Sequence, residues 1–179
     1  GFIGSHLFEH LILNTDFEII GLDKLSYASN GYDRLRDTGY FDNPRLRLFS
    51  ADFTYPISVG LTKEISEIDY ILHLGAETHV DRSIENAEPF IVNNILGTMH
   101  VLNFARKQKN LKKFFYFSTD EVFGPAREDS LYEIYKFTEQ DRYNCTNPYA
   151  ATKAGAEQLS FAYANTHKVP VVVTRLMNC

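Results

Sequence analysis

The chain has 179 residues, of which 44% are apolar and 23% are charged, and its formal net charge is −5. This length and composition are typical of a globular domain with its own core, and the negative charge argues against a nucleic-acid-binding surface. No apolar run reaches the roughly 18 residues of a membrane helix, and Cys145 and Cys179 have no disulfide-framework or metal-ligand spacing, so we expect a cytoplasmic protein without a metal site.

Alternating strand and helix patterns follow along the chain. Five short apolar runs, rich in β-branched and aromatic residues, predict buried parallel strands at Phe17–Leu22, Leu46–Phe49, Tyr70–Leu74, Phe114–Phe117 and Val169–Thr174. Apolar residues at helical spacing predict helices over His6–Leu13, Pro89–Lys107 and Tyr149–Ala164. Leu25–Pro44 and Gly124–Asn147 are expected to be loops. The order predicts an α/β fold, a doubly wound parallel sheet of Rossmann type.

A glycine-rich turn precedes the first predicted helix, at Gly1-Phe2-Ile3-Gly4. Such glycines let the backbone approach a pyrophosphate, which then faces the helix N-terminus. Asp23 lies 19 residues after Gly4, and an acid about 20 residues on accepts hydrogen bonds from an adenosine ribose. Its charge would repel a 2′-phosphate. These residues, with the neighbouring Lys24, predict binding of NAD in preference to NADP, unless Asp23 only ends a strand.

Both ends of the chain look cut. No strand precedes the turn at Gly1, and the chain stops shortly after its fifth predicted strand. We therefore expect residues 1–179 to be one NAD-binding domain that lacks its first strand. That strand would lie between Phe17–Leu22 and Tyr70–Leu74, and a C-terminal substrate domain would follow Cys179.

Tyr149 and Lys153 have the spacing of neighbours on one helix face. A lysine ammonium there favours the phenolate and lowers the tyrosine pKa, which gives a base near neutral pH. Thr119 follows the strand Phe114–Phe117, and ligands bind outside the carboxyl ends of such strands. The alternative interpretation is an ordinary helix with a surface lysine and a half-buried tyrosine.

Two adjacent carboxylates, Asp120 and Glu121, come directly after Thr119. Carboxylates placed side by side can serve as general acid and general base when their surroundings differ. The alternative interpretation is a solvated loop. The spacing alone leaves both open.

Four segments carry a family resemblance. STDEVFG (Ser118–Gly124), NPYAATK (Asn147–Lys153), HLGAETHVDRSI (His73–Ile84) and DKLSYA (Asp23–Ala28) resemble extended short-chain dehydrogenases of the dTDP-glucose 4,6-dehydratase type. The likeness runs along essentially the whole chain. The Thr-Asp-Glu triplet is the discriminating element, since related sugar-nucleotide epimerases usually lack the acid pair.

The resemblance implies a lyase reaction on an NDP-glucose, foremost dTDP-glucose, through transient oxidation by bound NAD. Tyr149, aided by Lys153 and Thr119, takes the proton from the 4-hydroxyl while hydride leaves carbon 4. Glu121 then removes the carbon 5 proton, and Asp120 protonates the departing 6-hydroxyl. Return of the hydride to carbon 6 gives a 4-keto-6-deoxy sugar.

The resemblance also implies further binding residues and a homodimer. For the cofactor these are Asp52, Phe53, Gly75, Ala76 and Glu77, with Thr78 in the same loop, together with the catalytic pair Tyr149 and Lys153. For the sugar nucleotide they are Ser83, Asn94, Thr119 and Asn178. Two alternatives remain: an NAD-dependent epimerase or decarboxylase of the same fold, and a non-catalytic binding protein if the chain truly begins at Gly1.

Overall fold

The computed structural model describes residues 1–27, 30–125, 128–130, 133–134 and 136–177, with the backbone alone for 128–130 and 133–134. The chain divides into two compact units, Gly1–Phe53 and Thr54–Cys179. The single NAD-binding domain predicted over residues 1–179 stays a prediction.

The first unit is a small α/β layer. Its elements are α1 (Phe2–Asn14), β1 (Ile19–Asp23), α2 (Asp33–Asp37) and β2 (Leu46–Ser50). The two strands are parallel, with Asp23 opposite Ser50. Buried apolar side chains from all four elements form the core: Ile12, Ile19, Leu35 and Leu46.

The second unit contains a three-stranded parallel sheet in the order β3-β4-β7. Its elements begin with α3 (Val59–Ile65), β3 (Tyr70–His73), α4 (Val80–Glu85), α5 (Glu88–Phe90), a π-helical turn (Ile91–Leu96) and α6 (Gly97–Ala105). They continue with β4 (Lys113–Thr119), a 3-10 helix (Asp120–Phe123), β5 (Glu128–Ser130), β6 (Glu133–Ile134), α7 (Pro148–His167) and β7 (Val171–Leu176). β5 and β6 pair antiparallel.

The predicted Rossmann-type α/β fold is confirmed, with five parallel strands where the apolar runs placed them. Within the described residues, β1 and β3 each have one hydrogen-bonded neighbour. The helical stretch predicted over Pro89–Lys107 is present as α5, a π-helical turn and α6 in succession, and the π-helical turn was not predicted. The two predicted loops were also incomplete: Leu25–Pro44 contains α2, and Gly124–Asn147 contains β5 and β6.

Parallel pairing brings the carboxyl ends of β4 and β7 to one edge of the second sheet. Ser118 lies opposite Arg175, and Thr119 lies opposite Leu176. Residues that directly follow β4 therefore lie at the edge where α/β sheets bind ligands. No helix of the described ranges is both long and apolar enough to cross a membrane.

Candidate active site

Helix α7 begins with Pro148, directly before the predicted catalytic tyrosine, because Asn147 and Pro148 both favour a helix start. Asn147 caps the helix, and its Oδ1 accepts a 2.8 Å hydrogen bond from the backbone N–H of Ala150. Pro148 occupies the first helical position, where no backbone donor is needed. Tyr149 and Lys153 then lie one turn apart and are 9% and 3% exposed.

Lys153 points from α7 into β4. Its Nζ donates a 2.6 Å hydrogen bond to the carbonyl oxygen of Phe117 and lies 4.5 Å from the ring centre of Tyr116. Burial lowers the pKa of Lys153 to about 8, and the carboxylate of Glu157 opposes that shift.

Tyr149 corrects one expectation from the sequence. Its pKa is raised, not lowered, and burial of the phenol is the largest cause. The hydrogen bond with the Thr119 side chain lowers the pKa, while the carboxylates of Glu121 and Asp120 raise it. The pKa of Tyr149 is raised although Lys153 lies one turn away, where its ammonium group donates to the carbonyl of Phe117.

Thr119 organises the acid pair that follows β4. Its hydroxyl accepts a 3.3 Å hydrogen bond from the backbone N–H of Glu121 and donates one of 3.3 Å to Oδ1 of Asp120. This caps the 3-10 helix that carries both acids. Oε2 of Glu121 also accepts a 2.8 Å hydrogen bond from Nδ2 of Asn147.

The structure thus gathers the five residues predicted to be catalytic, Thr119, Asp120, Glu121, Tyr149 and Lys153. Their geometry brings an acceptor for a hydroxyl proton close to two carboxylates of one short helix. Such a site is able to move protons at more than one atom of a substrate. The individual roles stay predictions.

Asn94, predicted to contact substrate, is 1% exposed and its amide is engaged inside the protein. Its Oδ1 accepts from the backbone N–H of Glu77 at 2.8 Å. Its Nδ2 donates to the carbonyl of Glu77 at 3.0 Å and to the hydroxyl of Thr152 at 3.0 Å. The Thr152 hydroxyl donates in turn to the carbonyl of Tyr149 at 2.8 Å. These bonds connect the half-buried loop at Gly75, Ala76 and Glu77 to α7. The geometry therefore favours a role for Asn94 in supporting the site.

Ser83, also predicted to bind substrate, is fully buried in α4. Its Oγ accepts a 3.0 Å hydrogen bond from the backbone N–H of Tyr149 and donates one of 2.6 Å to the carbonyl of Val80. Ser83 therefore fixes the first turn of α7. Substrate contact by Ser83 stays a prediction, and Asn178 lies outside the described residues.

In the first unit, the glycine turn and Asp23 lie side by side. The nitrogen of Gly1 is 3.4 Å from Oδ2 of Asp23, whose Oδ1 accepts a 2.7 Å hydrogen bond from the backbone N–H of Leu25. A Cβ built on Gly1 or Gly4 would meet no atom of the described residues within 4 Å. Internal packing therefore does not require these two glycines.

The other predicted cofactor residues of this unit lie near the same features. Phe2 and Ile3 are exposed at the start of α1, and Lys24 is partly buried after β1. Asp52 and Phe53 follow β2, whose final residue is the partner of Asp23. Because β1 and β2 are parallel, their carboxyl ends lie at the same edge of the sheet. Lys24 follows the end of β1, and Asp52 and Phe53 follow the end of β2.

A buried ion pair, which sequence analysis did not predict, holds α7 to β7. Glu157 is 0% exposed, and its Oε1 accepts a 3.0 Å hydrogen bond from Nε of Arg175. The hydroxyl of Tyr143 also donates to Oε1. Sequence analysis missed Asn147 as well, although an asparagine directly before a proline is a recognisable helix-start signal.

Comparison with known proteins places the chain in a family. Residues 1–179 match the family described as GDP-mannose 4,6 dehydratase. The chain belongs to this family. The dTDP-glucose 4,6-dehydratase of Escherichia coli is 37% identical over 190 residues, a match that covers 99% of this chain and 52% of that protein. The chain thus spans about half the length of the curated relatives it matches.

Two solved structures of family relatives share the fold. The dTDP-glucose 4,6-dehydratase of Streptomyces venezuelae, solved with NAD bound, is 35% identical with a TM-score of 0.84, covering 98% of this chain and 52% of that one. The UDP-glucuronic acid 4-epimerase of Bacillus cereus, in complex with UDP-glucuronic acid and NAD, is 28% identical with a TM-score of 0.82, covering 98% of this chain and 53% of that one. Both bind NAD, the cofactor predicted from the sequence, and the pair shows that dehydratases and epimerases share this architecture.

Proposed function

We propose that the protein is a nucleotide-sugar 4,6-dehydratase that converts an NDP-glucose, foremost dTDP-glucose, to the 4-keto-6-deoxy sugar and water. One observation carries the proposal: Asp120 and Glu121 lie on the 3-10 helix that directly follows β4, and the Asn147 amide joins Glu121 to the start of the helix that carries Tyr149. A pair of acids beside a tyrosine base supplies the two extra proton transfers that elimination of water requires. Oxidation of a hydroxyl alone needs neither acid.

The residues present fit NAD. Gly1 and Gly4 leave open space where a Cβ would stand, and Asp23 beside them has a side chain that is 42% exposed. In the second unit, the buried hydroxyl of Ser118 has no hydrogen-bond partner among the described residues. When bound, NAD supplies the hydride acceptor and donor that make the overall reaction redox-neutral.

Tyr149 is the proposed base for the sugar 4-hydroxyl. The Thr119 side chain lowers the pKa of Tyr149, against the larger effect of burial. Lys153 has a pKa of about 8 and lies one helical turn from Tyr149. Its ammonium group donates a hydrogen bond to the carbonyl of Phe117. Helix α7 fixes the spacing of both residues, and Ser83 fixes the backbone of Tyr149.

Glu121 is the proposed base that takes the proton from carbon 5 and returns one there when hydride adds to carbon 6, and Asp120 is the proposed acid for the departing 6-hydroxyl. The Asn147 amide donates a hydrogen bond to Oε2 of Glu121 and orients this carboxylate. Asp120 receives a hydrogen bond from Thr119 and has no such amide donor among the contacts described. Different surroundings therefore support different roles for the two acids.

A second candidate is an NAD-dependent sugar-nucleotide epimerase, which the likeness to the Bacillus cereus enzyme favours. An epimerase returns an isomer of its substrate, whereas a dehydratase returns a product lighter by one water. The acid pair favours the dehydratase, because inversion at one carbon has no departing hydroxyl to protonate.

The deciding experiment incubates the full-length protein with NAD and dTDP-glucose and follows the product by mass spectrometry. We expect loss of one water and the absorbance of a 4-keto sugar in alkali. UDP-glucose in a parallel reaction tests the nucleotide. A product of unchanged mass with every substrate would overturn the dehydratase assignment, and an isomer among the products would favour the epimerase.

A further inference from the structure

The side chain of Asn147 connects two parts of the candidate site. Its Oδ1 accepts from the backbone N–H of Ala150 at 2.8 Å and caps α7. Its Nδ2 donates to Oε2 of Glu121 at 2.8 Å. One planar amide therefore joins the acid on the 3-10 helix to the start of the helix that carries Tyr149.

Residues that precede Asn147 also contact the 3-10 helix. The backbone N–H of Asn144 donates to the carbonyl of Val122 at 2.9 Å, and Sγ of Cys145 lies 3.5 Å from the same oxygen. Gly124 permits this approach, because a Cβ there would lie 2.4 Å from the carbonyl oxygen of Asn144. These backbone contacts set the position of Asn147, so its bond to Glu121 is part of a packed arrangement.

We propose that Asn147 is a positioning residue for the Glu121 carboxylate. Its amide orients one carboxylate oxygen, while the cap fixes the start of the helix that carries Tyr149. The inference rests on the proposed dehydratase function, in which Glu121 takes the proton from carbon 5. Asn147 itself touches neither the substrate nor the cofactor in this scheme and acts through Glu121.

The charged groups around Glu121 are the reason that a neutral side chain at position 147 matters for this carboxylate. Asp120 precedes it on the 3-10 helix, and both carboxylates act on the phenol of Tyr149. The ammonium of Lys153 is turned to the carbonyl of Phe117. The Asn147 amide donates to Glu121 and adds no further negative charge to this group.

Two substitutions separate the cap from the contact with Glu121. Serine and aspartate both cap helices well, so Asn147→Ser and Asn147→Asp should keep the melting temperature. Asn147→Ser removes the donor to Oε2. Asn147→Asp replaces that donor with a second carboxylate, which disfavours the ionised form of Glu121.

The readout is the exchange of the carbon 5 hydrogen with solvent deuterium, measured as a function of pH in the full-length enzyme with its sugar nucleotide. For Asn147→Ser we expect exchange about tenfold slower, as for a misplaced general base. For Asn147→Asp we expect the acid limb of the profile to move up by about one pH unit. Asn165→Ser, on the exposed far end of α7, is the matched control and should leave the profile unchanged.

Each outcome decides the matter. Wild-type profiles in both variants, with or without a lower melting temperature, would overturn the positioning role and leave the dehydratase function standing. Absence of carbon 5 exchange in the wild type would overturn the proposed function and this inference together.

Discussion

Lys153 donates a hydrogen bond of 2.6 Å to the carbonyl oxygen of Phe117, at the carboxyl end of β4. This bond connects the buried ammonium group on α7 to β4, the strand that directly precedes Asp120 and Glu121. The lysine is 3% exposed, and its pKa falls to about 8 because burial disfavours the charged form. The candidate site therefore contains a charge that opposes folding.

The first prediction concerns stability after removal of that charge. A folded-state pKa of about 8, below the ordinary 10.5, means that Lys153 destabilises the fold below pH 8 and that the penalty fades towards pH 10.5. Lys153→Met should therefore raise the free energy of unfolding at pH 7 by about 1–2 kcal/mol, after the loss of one hydrogen bond. Activity should be lost in the same variant.

Thermal unfolding at pH 7 and at pH 9.5 tests this prediction. The stabilisation should shrink at the higher pH. A variant that is less stable than the wild type at pH 7 would contradict the view that burial dominates the energetics of Lys153. Substitution of the exposed Lys168 by Met provides the matched control and should show no such pH dependence.

The second prediction concerns His73, which lies buried at the end of β3. Its Nε2 is 2.9 Å from Oγ1 of Thr98, and burial, with the charge of Lys153 second, lowers its pKa to about 3. Stability from the neutral ring is thus present above pH 6.5 and lost as the pH falls towards 3. Across that window the wild type should lose up to about 1.4 kcal/mol per pH unit from this residue.

His73→Gln keeps a hydrogen-bonding side chain and removes the titration. Its unfolding free energy should fall less steeply between pH 6.5 and pH 4 than that of the wild type, as measured by urea unfolding. The exposed His10, substituted by Gln in a control, should leave the wild-type slope. Parallel curves for His73→Gln and wild type would show that His73 does not contribute to acid sensitivity.

Features encoded by local patterns were predictable from the sequence. Continuous apolar runs placed β3 and β4, and the spacing of Tyr149 and Lys153 placed both on the buried face of α7. The Thr-Asp-Glu triplet was local as well, so its place after β4 followed from the end of the strand.

Contacts between distant residues were not predictable. Asn147 and Glu121 are 26 positions apart, and Lys153 and Phe117 are 36 apart. The periodicity of a sequence predicts which face of an element a side chain occupies. It does not predict which carbonyl group that side chain contacts. The predicted pKa of Tyr149 had the wrong sign because burial of the phenol, which depends on residues distant in sequence, has the largest effect.

The third prediction concerns the choice between NAD and NADP. Oδ1 of Asp23 accepts from Leu25, so an asparagine can keep that bond while it loses the charge. Asp23→Asn should improve the use of NADP relative to NAD by about tenfold or more, because close like charges cost several kcal/mol. Turnover of the apo-enzyme reconstituted with either cofactor measures the ratio. Asp16→Asn, at an exposed position, is the control, and an unchanged ratio in Asp23→Asn would assign Asp23 a structural role only.

The fourth prediction concerns the division of labour between the two acids. Glu121→Gln keeps the shape and an acceptor for Asn147, but it removes the base for carbon 5. Asp120→Asn removes the acid for the 6-hydroxyl. Each variant of the full-length enzyme should lose about 10²–10⁴-fold in turnover, the usual contribution of general acid–base groups.

Two measurements separate the steps that these variants block. In quenched single turnovers, both should still form the 4-keto sugar that retains its 6-hydroxyl, because Tyr149 and Lys153 remain, whereas Tyr149→Phe should form almost none. Solvent-deuterium exchange at carbon 5 should nearly vanish in Glu121→Gln and persist in Asp120→Asn, since only Glu121 takes that proton. If both variants eliminate water at the wild-type rate, the acid pair is an ordinary solvated turn, and the epimerase becomes the better assignment for this site. If exchange instead persists in Glu121→Gln and vanishes in Asp120→Asn, the two acids have the opposite roles.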